Sequence, residues 1–248
     1  MCELFGVTSD HKIDLNEYLR KFISHSEDHP NGWGMAFFDE GLSVVHEPVK
    51  ASISKKLEQL LEKPISSGEM LAHIRLATKG YVELENTHPF VKTDENGRVW
   101  TFAHNGTIFK APVLNKYQEV QIGSTDSERI LYYIIDRVNE EVGSDRIELI
   151  ESIARDLSEH NKLNFILHDG EYYYVHINEG GTLHKLEDDG SVIFSTQALD
   201  DGDWKEVEQN KLFVYKDGKL IHEGKKHEFG HITTQEEMDM IFMNYSSL

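Results

Sequence analysis

The only cysteine of the chain stands at position 2, directly after a methionine, in the run MCELFGV. Cysteine is small enough to follow a methionine that aminopeptidase normally removes. Removal would leave Cys2 with a free α-amine beside its thiol, so one residue would carry both a nucleophile and a base. An α-amine titrates near about 7.7–8.0, which leaves a useful unprotonated fraction at neutral pH. A thiol holds some thiolate near neutrality and is the least inert of the protein nucleophiles. N-terminal threonine is activated by its own amine in the same way. The competing reading is a small apolar side chain packed in a core. A lone cysteine does not choose between the two.

Four further motifs carry residue types that suit one reaction. HIRLATKG places Arg75 and Thr78 just past a strand, and NTHPF places His88 in a proline turn. FAHNGT places Asn105 and Gly106 past another strand, and GSTDSE places Asp126 at a helix start. Strand ends and loops are where sites collect. For an amide substrate with an amino-acid head group, an arginine grips the carboxylate bidentately and an aspartate accepts from the ammonium. An asparagine amide and the next backbone N–H can both point at a developing oxyanion. Cys2 would attack the side-chain carbonyl, and its amine, through a water, would move the protons. Each motif also has a structural reading: Asn105-Gly106 as a turn, Asp126 as an N-cap with Glu128 behind it, and Arg75 as a surface ion-pair member.

In this order, MCELFG, NGWG, HIRLAT, ENTHPF, AHNGT and TDSE resemble the class-II glutamine amidotransferases of the N-terminal nucleophile hydrolases. ENTHPF and the later STQAL…W resemble the stand-alone YafJ-like branch, and the resemblance spans about residues 2–222. It implies an α+β fold, a four-layer αββα sandwich of two stacked, mainly antiparallel sheets between helical layers. It implies hydrolysis of the γ-amide of glutamine to glutamate and ammonia through a γ-glutamyl thioester on Cys2. By motif position, Arg75 and Asp126 would hold the α-carboxylate and α-amine, and Thr78 and His88 would line the pocket. Asn105 and Gly106 would form the oxyanion hole, with His104 structural. Leu76 and Lys79 depart from many synthase-fused members, which carry an aromatic residue and a histidine there. No second domain is expected to receive ammonia. A separate subunit would take it, or the enzyme would simply hydrolyse a γ-glutamyl bond. If Met1 were retained, the amine would be lost and a non-catalytic binding protein of the same fold would be the reading.

One motif points elsewhere. His227-Glu228-Phe229-Gly230-His231 fits the H-E-x-x-H zinc pattern, with Glu236, Glu237 and Asp239 as candidate third ligands. It would make a metallopeptidase only on a helix that presents both histidines on one face. Gly230 costs such a helix about 1 kcal/mol relative to alanine, and no apolar helical pattern surrounds it. No metal or other cofactor is expected.

The elements that must position these residues follow from periodicity. Residues 2–8 read as a strand, and Asp14 with Glu17 reads as a capping box for a helix over about 15–25. MAFFDE and LSVVHE read as strands joined by a Glu40-Gly41 turn, and a helix is expected near 54–62. EMLAHIRLA and RVWTFAHNG read as buried strands. Two amphipathic helical patterns fill 126–159, broken at VGSD (142–145), and five strand patterns follow Lys162. Strands that one helix pair cannot cover call for two sheets stacked between helical layers. One domain over 1–248 is expected, with 224–248 as a peripheral tail.

Hydrophobic content of 39% over 248 residues supports a sizeable core. The net charge of −19 disfavours nucleic acid and anionic membranes as partners. No run approaches a membrane span or a signal peptide. One cysteine excludes an intrachain disulfide, and a reducing, cytoplasmic location is expected.

Overall fold

The computed structural model describes residues 2–141 and 143–239. Strands β1 (Glu3–Asp14), β2 (Trp33–Phe37), β3 (Ser43–Glu47) and β4 (Ser66–Ile74) share one sheet with β9 (His184–Asp188), β10 (Ser191–Ser195) and β11 (Lys205–Glu206). Its order is β11-β9-β10-β1-β4-β2-β3. Strands β5 (Phe90–Thr93), β6 (Val99–His104), β7 (Phe165–His168), β8 (Tyr173–Ile177), β12 (Lys211–Lys216) and β13 (Lys219–Glu223) form the second sheet, in the order β13-β12-β8-β7-β6-β5. Every pairing between these strands is antiparallel.

Three apolar layers hold the sheets and helices together, and alternation along the strands assigns each side chain to one of them. Phe5 and Val7 of β1 face α1 (Asn16–Ser24) and α2 (Lys55–Leu61), together with Met70 and Ala72 of β4. Phe102 of β6, with Phe165 and Leu167 of β7, faces α3 (Asp126–Glu140) and α4 (Arg146–Ser158). Leu4, Leu71, Ala103, Ile166, Tyr173 and Val175 fill the layer between the two sheets. The arrangement is therefore helices, sheet, sheet, helices, the expected αββα sandwich. Each fully buried Leu, Phe or Ile here contributes roughly 1.5–3 kcal/mol relative to exposure. At Gly6 the two sheets come into tight contact: a Cβ there would collide with the Tyr173 hydroxyl, which donates to the Met70 carbonyl at 2.9 Å.

The helices over 55–61, 126–140 and 146–158 fall where periodicity places them. The capping box at Asp14 does not form. β1 runs on to Asp14, which pairs with Ser66 of β4, so its backbone is committed to the sheet. Leu15 occupies the cap position with no side-chain cap bond. Asn16 instead ties the helix to the following segment, accepting from the Ile65 N–H at 2.6 Å and donating to the Leu61 carbonyl at 3.1 Å. Residues 224–233 lie hydrogen-bonded along the second sheet. Gly224, His227 and His231 donate main-chain N–H groups to the carbonyls of Leu212, Asn210 and Asn178 at 2.7–2.9 Å. Among the described residues no helix is long and apolar enough to cross a membrane.

Candidate active site

At one mouth of the inter-sheet layer, the inward-facing positions change from apolar to polar. Leu4 belongs to the inter-sheet core, and alternation puts Cys2 on the same face. Leu71 of β4 is followed on that face by His73 and Arg75, and Ala103 of β6 by Asn105. Ile166 of β7 is preceded by Asn164 and Lys162, and Ile177 of β8 is followed by Glu179. Register brings these ends together. Leu4 lies opposite His73, Ala103 opposite Ile166, and Ile166 opposite Val175. The His73 Nε2 reaches across the sandwich to the His104 carbonyl at 3.3 Å.

Cys2 is half-buried, and its thiol donates to the Leu76 carbonyl at 3.4 Å. Burial pushes the thiol pKa up, and the Leu76 hydrogen bond and the positive charges of Arg75 and Lys162 oppose that rise. A thiol raised above its ordinary value is protonated at neutral pH, so attack requires a base within reach.

Arg75 is not a surface ion-pair member. It is buried, and burial lowers its pKa. Its Nη1 donates to the Tyr81 carbonyl at 2.8 Å, and its Nη2 to those of Lys79 and Gly80 at 2.9 and 3.1 Å. The guanidinium thus shapes the loop that follows β4. Thr78 on that loop meets the Thr107 hydroxyl at 3.4 Å. Asp126 is not the N-cap of α3. Thr125 takes that place and accepts from the Glu128 N–H at 3.2 Å. The buried Asp126 carboxylate accepts from the Ile108 N–H at 2.8 Å and lies 3.7 Å from the Lys79 ammonium. Lys79 therefore stands against the very carboxylate expected to hold a substrate amine. It also donates to the Ile108 carbonyl.

Asn105 and Gly106 do not form a left-handed turn, because neither has positive φ. Glycine is required at 106 for close approach: a Cβ would collide with the Lys162 carbonyl and the His104 ring. The Asn105 N–H donates to the Asn164 carbonyl at 2.8 Å and the Thr107 N–H to Lys162 at 3.0 Å. Among the described residues the Gly106 N–H and the Asn105 side-chain amide make no hydrogen bond, and Asn105 Oδ1 is buried without a partner. Two donors at the mouth are unspent.

His104 meets Ser127 Oγ at 3.0 Å and the Lys162 carbonyl at 3.3 Å, a structural role. His88 packs against His73 at 4.1 Å between ring centroids, tilted by 31°, and meets Phe90 edge-on at 4.5 Å. It packs behind His73, and neither of its ring nitrogens has a partner among the described residues. Burial pushes His88 well below the usual histidine range, His73 down to about 3, and His104 downward. His176, buried under the second sheet, is likewise at about 3. These rings stay neutral in the folded chain and take protons below about pH 6.5 when unfolded. The unfolded state then binds more protons, so stability falls on acidification, by up to about 1.4 kcal/mol per pH unit for each ring. The melting temperature should drop steadily from about pH 7.5 to about pH 5. A melting temperature unchanged over that window would mean that the rings titrate alike in both states.

The H-E-x-x-H segment is not helical. His227 Nε2 meets His176 Nε2 at 3.1 Å, and its Nδ1 accepts from the Phe229 N–H at 3.2 Å. His176 Nδ1 contacts the Leu163 carbonyl at 2.9 Å and must donate there, so its Nε2 accepts from His227. Both nitrogens of His227 are thereby used. His231 turns away, stacking on Phe109 at 5.9 Å and lying 3.5 Å from Glu237. Among the described residues no group of three ligating side chains could hold a metal.

Among the residues of the mouth that the motifs did not reveal are Lys162 and Glu179. Their signal was strand alternation running inward from Ile166 and Ile177, which becomes readable only when the inner face is known.

The model of the class-II glutamine amidotransferases matches residues 1–188, and the chain belongs to that family. Among particular proteins, it is 32% identical over 257 residues to the uncharacterized protein MJ1515 of Methanocaldococcus jannaschii, covering 91% of this chain and 72% of that one. It is 28% identical over 217 residues to YafJ of Escherichia coli, covering 79% and 85%. Among solved structures, the fold matches a predicted glutamine amidotransferase from Pseudomonas aeruginosa with a TM-score of 0.61 and 20% identity, over 89% of this chain and all of that one. It also matches the glutamine phosphoribosylpyrophosphate amidotransferase of Bacillus subtilis with a TM-score of 0.66 and 19% identity, over 92% of this chain and 49% of that one.

Proposed function

We propose that this protein hydrolyses the γ-amide of glutamine, or of a related γ-glutamyl compound, through a thioester on Cys2. The supporting observation is the pair of unspent donors, the Asn105 amide and the Gly106 N–H, at the mouth that holds the Cys2 thiol. With Met1 removed, the α-amine takes the thiol proton through a water, and Sγ bonds to the γ-carbonyl carbon. The carbonyl oxygen becomes an oxyanion held by the two donors, which act on charge that exists only in the transition state and intermediate. Collapse breaks the C–N bond, and the α-ammonium protonates the leaving ammonia. Water then attacks the thioester, giving glutamate and restoring the thiol. Arg75 attracts the α-carboxylate. Asp126 takes the α-ammonium, a cation it already accommodates in Lys79, which must withdraw. Thr78 lines the pocket, and His88 backs it through His73.

A separate subunit accepts the ammonia, or none does and the reaction ends in hydrolysis. A catalytic thiol without a disulfide partner suits a reducing, cytoplasmic compartment. Intact mass, glutamine hydrolysis and labelling by an alkylating glutamine analogue, all on one preparation, test the reading. The expected result is a chain beginning at Cys2, labelled once, at that residue. Retained Met1 in an active preparation would sink the amine-as-base mechanism. Retained Met1 with neither activity nor labelling would leave a binding protein of the same fold.

A further inference from the structure

Beyond the mouth residues that would touch glutamine, a buried cation is held by a chain of contacts that ends in the C-terminal segment. Lys162 precedes β7 on the inter-sheet face, and its side chain is 3% exposed. Its main chain pairs with the oxyanion loop: the Lys162 carbonyl accepts from Thr107 at 3.0 Å, and its N–H donates to the Thr107 carbonyl at 3.2 Å. Its ammonium is ion-paired with Glu179. The other oxygen of Glu179 accepts from Thr233 twice, from the N–H at 3.1 Å and from Oγ1 at 2.6 Å. Thr233 lies beyond the 1–188 span matched by the family, so a segment outside that span reaches the site. The neighbouring contacts of His231, to the Asn178 carbonyl at 2.7 Å and to the Phe109 ring, fix the segment in place.

We propose that Lys162 is a positioning residue for Cys2, holding positive charge toward the thiol and the oxyanion loop, and that Thr233 keeps it there through Glu179. A buried ion pair contributes little net stability, since desolvation offsets much of its attraction. A pair set against a nucleophile instead contributes where negative charge develops. Among the described residues, Arg75 from the end of β4 and Lys162 from the approach to β7 bring positive charge to Cys2, and Glu179 from the end of β8 pairs with Lys162; removal of Met1 would add the α-amine of Cys2 itself. Asp126 and Lys79 balance one another beside Arg75. Lys162 and Cys2 each influence the other's ionisation, as do Arg75 and Cys2.

The inference rests on the reading of Cys2 as the nucleophile, and its main test needs no turnover. The Cys2 thiol pKa is read from the pH dependence of alkylation by iodoacetamide in the full chain. Because Lys162→Met alone would leave a buried carboxylate unpaired, the test variant is Lys162→Met with Glu179→Gln. The thiol pKa should rise by roughly half a unit to one unit. Glutamine turnover should fall about tenfold in kcat with KM within about twofold, since the charge acts on the reacting atoms rather than on the head group. Thr233→Val, on a partly exposed segment, should shift the thiol the same way by less, and it carries the test if the double variant does not fold. A thiol pKa equal to wild type in the folded variants would overturn the proposal. A shifted pKa in a protein that hydrolyses no glutamine would support the positioning and refute the glutaminase reading instead.

Discussion

Replacing Cys2 by alanine should abolish glutamine hydrolysis while leaving the fold intact. Without the thiol no covalent intermediate forms, and the direct attack of water on a primary amide must carry the whole reaction. Loss of a nucleophile that acts as a unit with its base costs about 10⁴-fold or more in kcat. Stability should change little. The half-buried thiol makes one long hydrogen bond, to Leu76, and removing it costs about 1 kcal/mol or less. The check is kcat, melting temperature and labelling by the alkylating analogue on the same sample. Cys2→Ala protein that still turns over or takes up label at the wild-type rate would place the nucleophile elsewhere.

Asn105→Ala should lower kcat by roughly 10²–10³ with little change in KM, the loss typical of one oxyanion-hole donor. The structure makes this substitution cleaner than the sequence suggested. Asn105 does not occupy a left-handed conformation, so alanine meets no backbone strain. The main-chain bond to the Asn164 carbonyl survives the change. The side-chain oxygen is buried without a partner, so its removal deletes an unsatisfied polar atom instead of a native bond. A purely structural asparagine would give the opposite pattern, a lower melting temperature with kcat preserved in the folded fraction. Wild-type kcat in a stable variant would remove Asn105 from the oxyanion hole. Gly106 offers no comparable test. Its contribution is a backbone N–H, and any side chain there strikes Lys162 and His104.

Much of this was readable along the chain. Periodicity located α2, α3 and α4, and the two-sheet sandwich followed from strands too numerous for one helix pair to cover. Cys2, Arg75, Asn105 and Asp126, the residues of the proposed site, could be singled out because each sits in a short local motif: a cysteine after the first methionine, a polar group just past an apolar run, or an acid at a helix start. The H-E-x-x-H match is also local, and it misled for that reason. A zinc helix needs five residues with a common helical axis, whereas 227–231 are drawn out along the second sheet by bonds to Asn178, Asn210 and His176.

The tertiary structure decided what local patterns leave open. Asp14 was available as a cap by type, but its pairing with Ser66 depended on a strand fifty residues away. Arg75 was legible as a cation, yet only the folded loop sets Lys79, Gly80 and Tyr81 as its carbonyl partners. Lys162 and Glu179 carry no motif at all. Alternation divides each strand into two faces, but it cannot say which face meets the other sheet. That choice is fixed by which face packs on the helices and which on the other sheet, and the register of β1 on β4 and of β6 on β7 carries it from strand to strand. Once it is made, Lys162, Glu179 and Cys2 point into the same mouth.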